Sequence, residues 1–355
     1  MRTAARRFAA FALAFALAPT VLWSVSAPAR GSGPAVVAIG PIAMTVSDAE
    51  RSADFYRRVL GFDRVLDTEL SDEASEQLHG IAGLRLRVVR MRLGHEVIDL
   101  MEYITPRGRP IPADSRSNDR WFQHVAIIVS DMDRAYAHVR EHRVKAVSAG
   151  PQQLPAWNQT AGGIRAFYFK DPDGHPLEIL WFPPGKGDAR WHVRSERLFL
   201  GIDHTAIVIA DTARSLVCYR DRLGLRVAGE SENWGLEQER LNNVAGARLR
   251  ITTLRAAAGP GVELLEYLAP RDGRPIPDDA RPNDLAHWHT TLVARDPEAF
   301  AFASRSRACT FPSADAVAID HRELGFTRAL PGRDPDGHAF QLVAADGGLV
   351  NEGYR

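Results

Sequence analysis

Apolar and polar positions follow a regular order along the chain, in which an alternating stretch precedes a helical one and further alternating stretches come after. Residues 42–48 alternate as a half-buried strand does, and residues 49–61 then place apolar side chains at helical spacing. Strands are predicted next at 62–68, 84–93 and 96–103. Looser versions of the same order follow, so the sequence predicts four units with the element order βαβββ.

The first predicted helix has recognisable ends. Ser47 and Glu50 have the spacing of a capping box, in which each side chain satisfies a backbone N–H at the start of the helix. Gly61 is placed to end the helix, because glycine readily takes the left-handed conformation that closes many helices. A short surface helix is predicted within 71–81. The buried face of the first helix is predicted to comprise Phe55, Tyr56, Val59 and Leu60.

The chain repeats itself. The segment RPIPADSRSND at 109–119 returns as RPIPDDARPND at 274–284, and three other stretches recur at a nearly constant offset. Two copies therefore run from 36 to 184 and from 198 to 346, and each is predicted to be a domain of two βαβββ units. Residues 185–197 join the copies, and the glycines and charges of this segment predict an exposed connector.

The first 29 residues differ in composition from the rest. A short basic stretch, MRTAARR, precedes an apolar stretch rich in Ala and Phe, and Ala27 and Ala29 then form the A-x-A pattern of a cleavage site. This order predicts a signal peptide over 1–29 and an exported protein, periplasmic or secreted, that begins near Arg30. The alternative is an uncleaved segment that anchors the chain in the membrane.

Composition limits the classes of partner. The 44 basic and 44 acidic residues cancel, so the chain carries no broad field that would attract nucleic acid or an anionic membrane surface. A small-molecule substrate is expected instead, and the oligomeric state is left open. The two cysteines, Cys218 and Cys309, form no CxxC pair, so a thiolate metal site is not expected. Cys218 is interpreted as a buried small hydrophobe, with a single disulfide as the alternative.

Four predicted strands each place one polar side chain on an otherwise apolar face. His124 and His204 begin two alternating strands, and Glu178 and Glu263 interrupt two others. A buried carboxylate is costly unless it is paired or binds a metal. A structural role fits any one of these residues alone, whereas imidazole and carboxylate at matching strand positions together suit a Zn, Ni, Fe(II) or Mn site.

These features together resemble the vicinal oxygen chelate superfamily, which includes glyoxalases, bleomycin resistance proteins and extradiol dioxygenases. The resemblance rests on the βαβββ units and on the segments HVAIIVSD, FYRRVLGF, VELLEY and FYFKDPDGHPLEIL. It implies an α+β fold in which four βαβββ units pair into two incomplete, cup-shaped mixed β-barrels with helices outside. It also implies that metal ligands come from the first and fourth strands of the units.

Carried over by position, the resemblance implies eight candidate ligand positions. They are Pro41, Asp99, His124 and Glu178 in the first copy, and His204, Glu263, His289 and Gln341 in the second. If each copy closes its own barrel, the departures from a metal site are divided between the two barrels. If the middle units pair instead, one site is complete, and it holds His124, Glu178, His204 and Glu263. The other site then collects the departures Pro41, Asp99 and Gln341. The second pairing is favoured, and it predicts one divalent metal ion per chain, with Zn, Ni, Fe and Mn as the candidates.

Three functions are compatible with such a site. The first is a metal-dependent lyase or isomerase, like a glyoxalase or an epimerase, which stabilises an enediolate of a small oxygen-rich molecule while Glu178 or Glu263 moves the proton. The second is an Fe(II) dioxygenase of the extradiol type, which needs two histidines and one carboxylate, so that Glu263 counts against it as a further ligand. The third is a metal-free binding or resistance protein.

Two kinds of loop are further candidates. The repeated GRPIP segments are interpreted as linkers that proline stiffens, and the alternative is a pocket rim where Arg116 or Arg281 meets an anionic substrate. The loop that contains Trp157 and Asn158 is interpreted either as an ordinary surface loop or as a wall of the pocket.

Overall fold

The structure is a computed structural model, and it describes residues 36–302, 308–313 and 315–345. The predicted signal peptide and its cleavage point lie outside these residues. Within them, no helix combines the length and the apolar character that crossing a bilayer requires.

The described residues form four units with similar element order. The first unit contains β1 (Val36–Val46), α1 (Ala49–Leu60), β2 (Asp63–Leu70), α2 (Glu73–His79), β3 (Arg85–Leu93) and β4 (Glu96–Thr105). The second contains β5 (Gln123–Val129), α3 (Met132–Glu141), β6 (Lys145–Ala146), β7 (Gln152–Gln153), β8 (Arg165–Lys170) and β9 (Pro176–Trp181). The third contains β10 (Phe199–Ile209), α4 (Thr212–Leu216), β11 (Arg226–Trp234), α5 (Leu236–Asn242), β12 (Arg248–Arg255) and β13 (Gly261–Ala269). The fourth contains β14 (Trp288–Ala294), α6 (Glu298–Phe302), β15 (Val317–Ala318), β16 (Phe326–Arg333) and β17 (Ala339–Ala345). Short helical turns cover Ala189–His192, Val217–Arg222 and Arg322–Leu324.

The strands form two sheets, and each sheet contains one unit from the first copy and one unit from the second copy. The first and fourth units build the outer-unit sheet, with the strand order β15-β16-β17-β14-β1-β4-β3-β2. The second and third units build the middle-unit sheet, with the order β11-β12-β13-β10-β5-β9-β8-β6, and β7 pairs with β8. In the middle of each sheet the first strands of two units run antiparallel, β1 against β14 and β10 against β5. The prediction that the middle units pair is therefore confirmed.

Both sheets are curled, mixed half-barrels, which confirms the predicted α+β fold class. Strand alternation decides which side chains enter each cup. In β5, Ala126 and Ile128 belong to an apolar cluster on the inner face of the middle-unit sheet. Val125 and Ile127 point to the opposite face, where they join a core that also contains buried residues of α1 and α3.

Helix α1 begins at Ala49, as the sequence predicts, but its N-cap differs from the predicted one. Asp48, not Ser47, is the N-cap, and its side chain accepts a hydrogen bond from a backbone N–H of the first turn at 2.9 Å. Ser47 instead donates to the carboxylate of Asp173, in the second unit, at 2.7 Å. The predicted capping box is wrong because this long-range contact competes for Ser47. Gly61 closes the helix at a φ of 72°, as predicted.

The two cysteines form a disulfide. Cys218, in the turn that follows α4, is bonded to Cys309, and their Cα atoms lie 5.2 Å apart. Both residues are buried, as expected for Cys218, but the favoured interpretation of Cys218 as a small hydrophobe without a disulfide is wrong. No sequence pattern places these two positions together, because 91 residues separate them.

The two GRPIP segments connect the sheets through an exchange of salt bridges. Arg109 donates to the two carboxylate oxygens of Asp284 at 3.1 and 2.7 Å. In the repeated arrangement, Arg274 donates to both oxygens of Asp119 at 3.0 and 2.6 Å. Each segment thus binds the other through bidentate pairs, which fix orientation as well as distance. This arrangement supports the interpretation of the segments as structural linkers.

Candidate metal centre

Three of the four predicted ligands meet on the inner face of the middle-unit sheet. His124 lies on β5, Glu178 on β9 and His204 on β10, and each offers one ligand atom within 4.8 Å of the others. The same oxygen, Oε2 of Glu178, is 3.1 Å from Nε2 of His124 and 3.7 Å from Nε2 of His204. All three side chains are buried. This group could hold a divalent metal ion.

The register of the three strands brings these side chains together. Ala126 on β5 is the register partner of His204 on one side and of Glu178 on the other. His124 shares a face with Ala126, since the two are separated by one residue on the same strand. The three polar side chains therefore surround the position of Ala126, whose methyl group leaves space between them.

Glu263, the fourth predicted ligand, lies at the edge of this group. Its Oε2 is 3.3 Å from Nε2 of His204, but among the described residues it is not part of the set whose ligand atoms all lie within 4.8 Å. Thr253 on the neighbouring strand donates to its other oxygen at 2.7 Å. The side chain of Glu263 is 18% exposed, against 6% for Glu178. Glu263 is therefore the more accessible of the two carboxylates.

The donor atoms fit a divalent metal ion. Neither ring nitrogen of His124 has a hydrogen-bond partner among the described residues, so the 3.1 Å approach of Nε2 to Glu178 lacks hydrogen-bond alignment. Ligands bound at about 2.1 Å in tetrahedral or octahedral geometry lie about 3.0–3.4 Å from their neighbours. The separation of 3.1 Å between His124 and Glu178 lies in that range, and the separation of 3.7 Å between His204 and Glu178 lies slightly above it.

Asp203 orients His204. Nδ1 of His204 lies 3.0 Å from Oδ2 of Asp203, and since an ionised carboxylate only accepts, the imidazole donates from Nδ1. Arg255 donates to both oxygens of Asp203 at 2.9 Å. Nε2 is thereby left to face Glu178, which is the arrangement that a carboxylate–histidine–metal triad requires. Asp203 was not predicted as a site residue, although an Asp–His pair inside an apolar strand is itself an unusual pattern.

The carboxylates around His204 change its protonation. Burial lowers the pKa of His204, but the charges of Glu263, Asp203 and Glu178, with the hydrogen bond to Asp203, outweigh burial and raise the pKa to about 9. Burial likewise raises the pKa of Asp203, while His204 and Arg255 lower it well below its usual range. A metal ion binds the neutral imidazole, so it would take the place of a proton at this position.

A cavity of about 940 Å³ lies over the group, and Glu178, His204 and Glu263 contribute to its lining. Imidazole and carboxylate are thus reachable from a space large enough for a small molecule. Arg116 and Arg281, the candidates for a substrate-binding rim, do not line this cavity. The rim hypothesis is therefore wrong for this cavity.

The loop before β8 forms part of the cavity wall, as one of its two interpretations predicts. Ala161 lines the cavity, and Asn158 is buried, where its side chain donates to Asn233 at 2.7 Å. Trp157 stacks on Trp234 with 4.5 Å between the ring centroids, and both indoles are 48% exposed. This loop and β11 therefore meet beside the cavity.

The equivalent place in the outer-unit sheet holds a salt bridge. Arg90 donates to the two oxygens of Asp99 at 2.7 and 2.9 Å, and both side chains are buried. Arg90 has the register position opposite Asp99 that Thr253 has opposite Glu263. The guanidinium of Arg90 therefore balances the charge of Asp99 without a metal ion. In the same sheet, burial lowers the pKa of His289 to about 4.

A bulge in the first strand of the first unit and of the third unit coincides with the ligand position. In β10 the register shifts just before His204, so that Asp203 is an additional residue beside it. In β1 the equivalent shift falls at Gly40 and Pro41. Proline suits a bulge because it has no N–H to donate, but it offers no side-chain ligand. The outer-unit sheet therefore lacks both the histidine and the carboxylate that would orient it.

Comparison with known proteins identifies the family. The sequence model of the Glyoxalase/Bleomycin resistance protein/Dioxygenase superfamily matches residues 38–179 and 201–342. The two matched segments cover most of the chain, which therefore belongs to this superfamily. Enzymes of this family act on small molecules. The predicted resemblance is confirmed.

The similar proteins match either less than half of this chain or about nine-tenths of it. The 2-epi-5-epi-valiolone epimerase of Actinomyces sp. is 29% identical over 157 residues, which are 43% of this chain and 83% of that protein. The uncharacterized protein YaeR of Escherichia coli is 33% identical over 138 residues, 39% of this chain and 91% of that protein. Among solved structures, glyoxalase I from Zea mays has a TM-score of 0.57 at 13% identity, covering 91% of this chain and 97% of that chain. A putative dioxygenase from Bacillus subtilis has a TM-score of 0.55 at 16% identity, covering 90% of this chain and 89% of that chain. These structural likenesses show a shared fold.

Proposed function

We propose that this protein is a metal-dependent isomerase or lyase that moves a proton at a carbon next to a carbonyl group in a small, oxygen-rich molecule. The observation that carries this proposal is the buried group of His124, Glu178 and His204 beside a cavity that Glu263 also lines. A divalent ion held there would supply Lewis-acid polarisation of two substrate oxygens. The relative from Actinomyces, whose name is that of an epimerase, supports this type of reaction.

The chain's own residues divide the work between binding and proton transfer. His124, Glu178 and His204 would hold the ion, since they are the most deeply buried donors. Glu263 is the candidate base, because Thr253 occupies one of its oxygens and leaves the other beside His204. Returned to the neighbouring carbon, the proton completes an isomerisation. Epimerisation instead requires that the carbon take a proton from solvent on its opposite face, after which Glu263 releases the abstracted proton to solvent.

The position of Glu263 also favours a second function. With Glu263 at the edge, the remaining His124, His204 and Glu178 are a set of two histidines and one carboxylate, which is the ligand set of non-haem Fe(II) oxygenases. The expectation that Glu263 fills a further coordination position is weakened by its bond to Thr253. An Fe(II) dioxygenase of the extradiol type is therefore the alternative function. A metal-free binding or resistance protein is the third.

We also propose that the chain is exported, with 1–29 as its signal peptide or membrane anchor. The Cys218–Cys309 disulfide supports this proposal, because disulfides persist mainly in oxidising compartments outside the cytoplasm. Mass spectrometry of the protein from its native envelope tests cleavage near Arg30. A mature chain that retains Met1 would leave the anchor as the only form of this proposal.

The function is tested by metal content together with proton exchange. The chain from Arg30 onward is purified metal-free, loaded separately with Zn, Ni, Mn or Fe(II), and incubated in D2O with a panel of small hydroxyketones. Wild type is expected to bind one ion and to exchange the proton next to the carbonyl, which NMR detects. Glu263→Gln is expected to keep the ion and lose the exchange. Glu230→Gln, at an exposed position on the same cavity wall, is the matched control and should behave as wild type.

Other outcomes separate the alternatives. Oxygen consumption by the Fe(II) form with a catechol, without proton exchange by any form, would favour the dioxygenase. Failure to retain any of the four metals would reject both enzymes and favour the binding protein.

A further inference from the structure

The segment that links the two copies lines the cavity. The glycines and charges of 185–197 predict an exposed connector, but Trp191 is only 9% exposed and packs with the apolar residues of the middle-unit cup. Lys186, Asp188 and Arg190 of the same segment contribute to the lining of the cavity. The exposed-connector prediction is therefore wrong for the central part of this segment, which the Ala189–His192 turn holds against the sheet.

Trp191 is connected to His204 of the metal centre through two successive hydrogen bonds to Asp203. Its Nε1–H donates to Oδ1 of Asp203 at 3.1 Å. The other carboxylate oxygen, Oδ2, accepts from Nδ1 of His204 at 3.0 Å. With Arg255 on both oxygens, the carboxylate has donors on each side that restrict its rotation. Trp191 is thus the hydrogen-bond donor to Asp203 that the linker contributes.

We propose that Trp191 is a positioning residue of the metal centre, which holds the Asp203 carboxylate in the orientation that directs His204 towards the metal position. This inference rests on the proposed function, since it assigns Trp191 a role in binding the same ion. The indole suits that role because its N–H only donates, so its partner must be an acceptor such as Asp203.

Two neighbours hold Trp191 in position. The guanidinium of Arg190 lies 3.9 Å from the indole centroid and also pairs with the buried carboxylate of Glu96 from the first unit. The backbone of β10 also lies close to the indole, since a Cβ at Gly201 would come within 2.9 Å of it, so this close approach requires glycine. The linker is thus held between the first unit and β10. An element joining the copies therefore contributes to a site that lies in one sheet.

The test removes the indole donor and keeps an aromatic ring. Trp191→Phe is compared with Trp157→Phe, which changes an exposed indole outside the hydrogen-bond chain. Zinc affinity is measured by competition with a chromophoric chelator. We expect Trp191→Phe to weaken zinc binding about fivefold, the effect of one hydrogen bond of about 1 kcal/mol. Trp157→Phe should bind zinc as wild type does.

A second measurement needs no metal. ¹⁵N NMR of the metal-free protein reports how strongly the protonated Nδ1 of His204 is hydrogen-bonded to Asp203. The Nδ1 signal of His204 is expected to shift in Trp191→Phe and to stay in place in Trp157→Phe. A merely structural role of Trp191 would lower the melting temperature without moving this signal.

The outcomes distinguish this inference from the proposed function. If wild type binds no metal, the proposed function fails, and the His204 signal still decides whether Trp191 positions Asp203. If wild type binds zinc and both variants match it in affinity and in the His204 signal, the inference is overturned. Should Trp191→Phe not fold, the wild-type indole signals decide. The N–H of Trp191 is expected to move on zinc binding while that of Trp157 does not, and an unmoved Trp191 signal would overturn the inference.

Discussion

Arg90 donates to both carboxylate oxygens of Asp99 in the outer-unit sheet, at the register position where Thr253 donates to Glu263 in the middle-unit sheet. One sheet has thus placed a fixed positive charge where the other leaves a carboxylate beside a candidate metal position. Pro41 adds to the difference, since it stands where the middle-unit sheet has His204. The two sheets therefore share one fold but differ at the equivalent site, so a single metal centre per chain is expected.

His124 and His289 hold matching places in the two copies, and their substitution tests which sheet binds the metal. His124→Ala removes one member of the buried group and should abolish metal binding. Loss of even an outer partner costs about 10- to 100-fold in metal affinity, so loss of a ligand should cost at least that. His289→Ala should leave the metal content of the purified protein unchanged. Elemental analysis of both variants is the measurement, and metal lost from the His289 variant alone would contradict the assignment.

The Arg90–Asp99 pair predicts an asymmetry in stability. Both side chains are about one-tenth exposed, so Arg90→Met leaves a buried carboxylate without its counter-charge and should cost about 3–5 kcal/mol in the free energy of unfolding. The double variant Arg90→Met/Asp99→Leu should recover most of that loss. Urea denaturation provides the measurement. The half-exposed pair Arg85–Glu69 supplies the control, because Arg85→Met should cost less than about 1 kcal/mol.

Much of the fold could be predicted because its information is local and repeated. Alternation in β5 predicts that His124 and Ala126 share a face, and the structure places both in the cup. The pairing of the middle units was predictable because Pro41 and Gln341 depart from the ligand pattern together. The N-cap of α1 was not predictable, since Ser47 is diverted by Asp173 from another unit.

The surroundings of the site were harder to predict than its ligands. Asp203 and Trp191 act through contacts between segments whose hydrophobic patterns do not depend on one another. The pairing of Arg90 with Asp99 was easier to predict, because a charge within an apolar strand indicates a partner, and Asp99 interrupts the next strand in the same way. Sequence periodicity identifies which face a side chain occupies, but not which distant charge meets it there.

The disulfide predicts a redox-dependent stability. The Cys218–Cys309 bond closes a loop with a sequence separation of 91 residues, for which the chain-entropy estimate of stabilisation is about 4–5 kcal/mol. Dithiothreitol should therefore lower the urea midpoint of the wild-type protein. The Cys218→Ser/Cys309→Ser variant should show the lowered midpoint with or without reductant. Equal midpoints for oxidised and reduced wild type would contradict this expectation.

Protonation of His204 predicts how metal binding depends on pH. Burial lowers its pKa and the surrounding carboxylates raise it, with a net value of about 9, above the ordinary value of 6.5. In the metal-free protein, the stability that this raised pKa contributes is fully present below about pH 6.5 and is lost as the pH rises through about 9. The metal needs the neutral imidazole, so zinc binding at pH 7 should release about one proton from His204, and zinc affinity should rise with pH up to about 9.

Calorimetric titration in two buffers of different ionisation enthalpy counts the released protons. His289→Ala is the control, because the pKa of His289 is about 4 and that residue is already neutral at pH 7. Zinc binding at pH 7 without proton release would show that His204 is not protonated in the metal-free site.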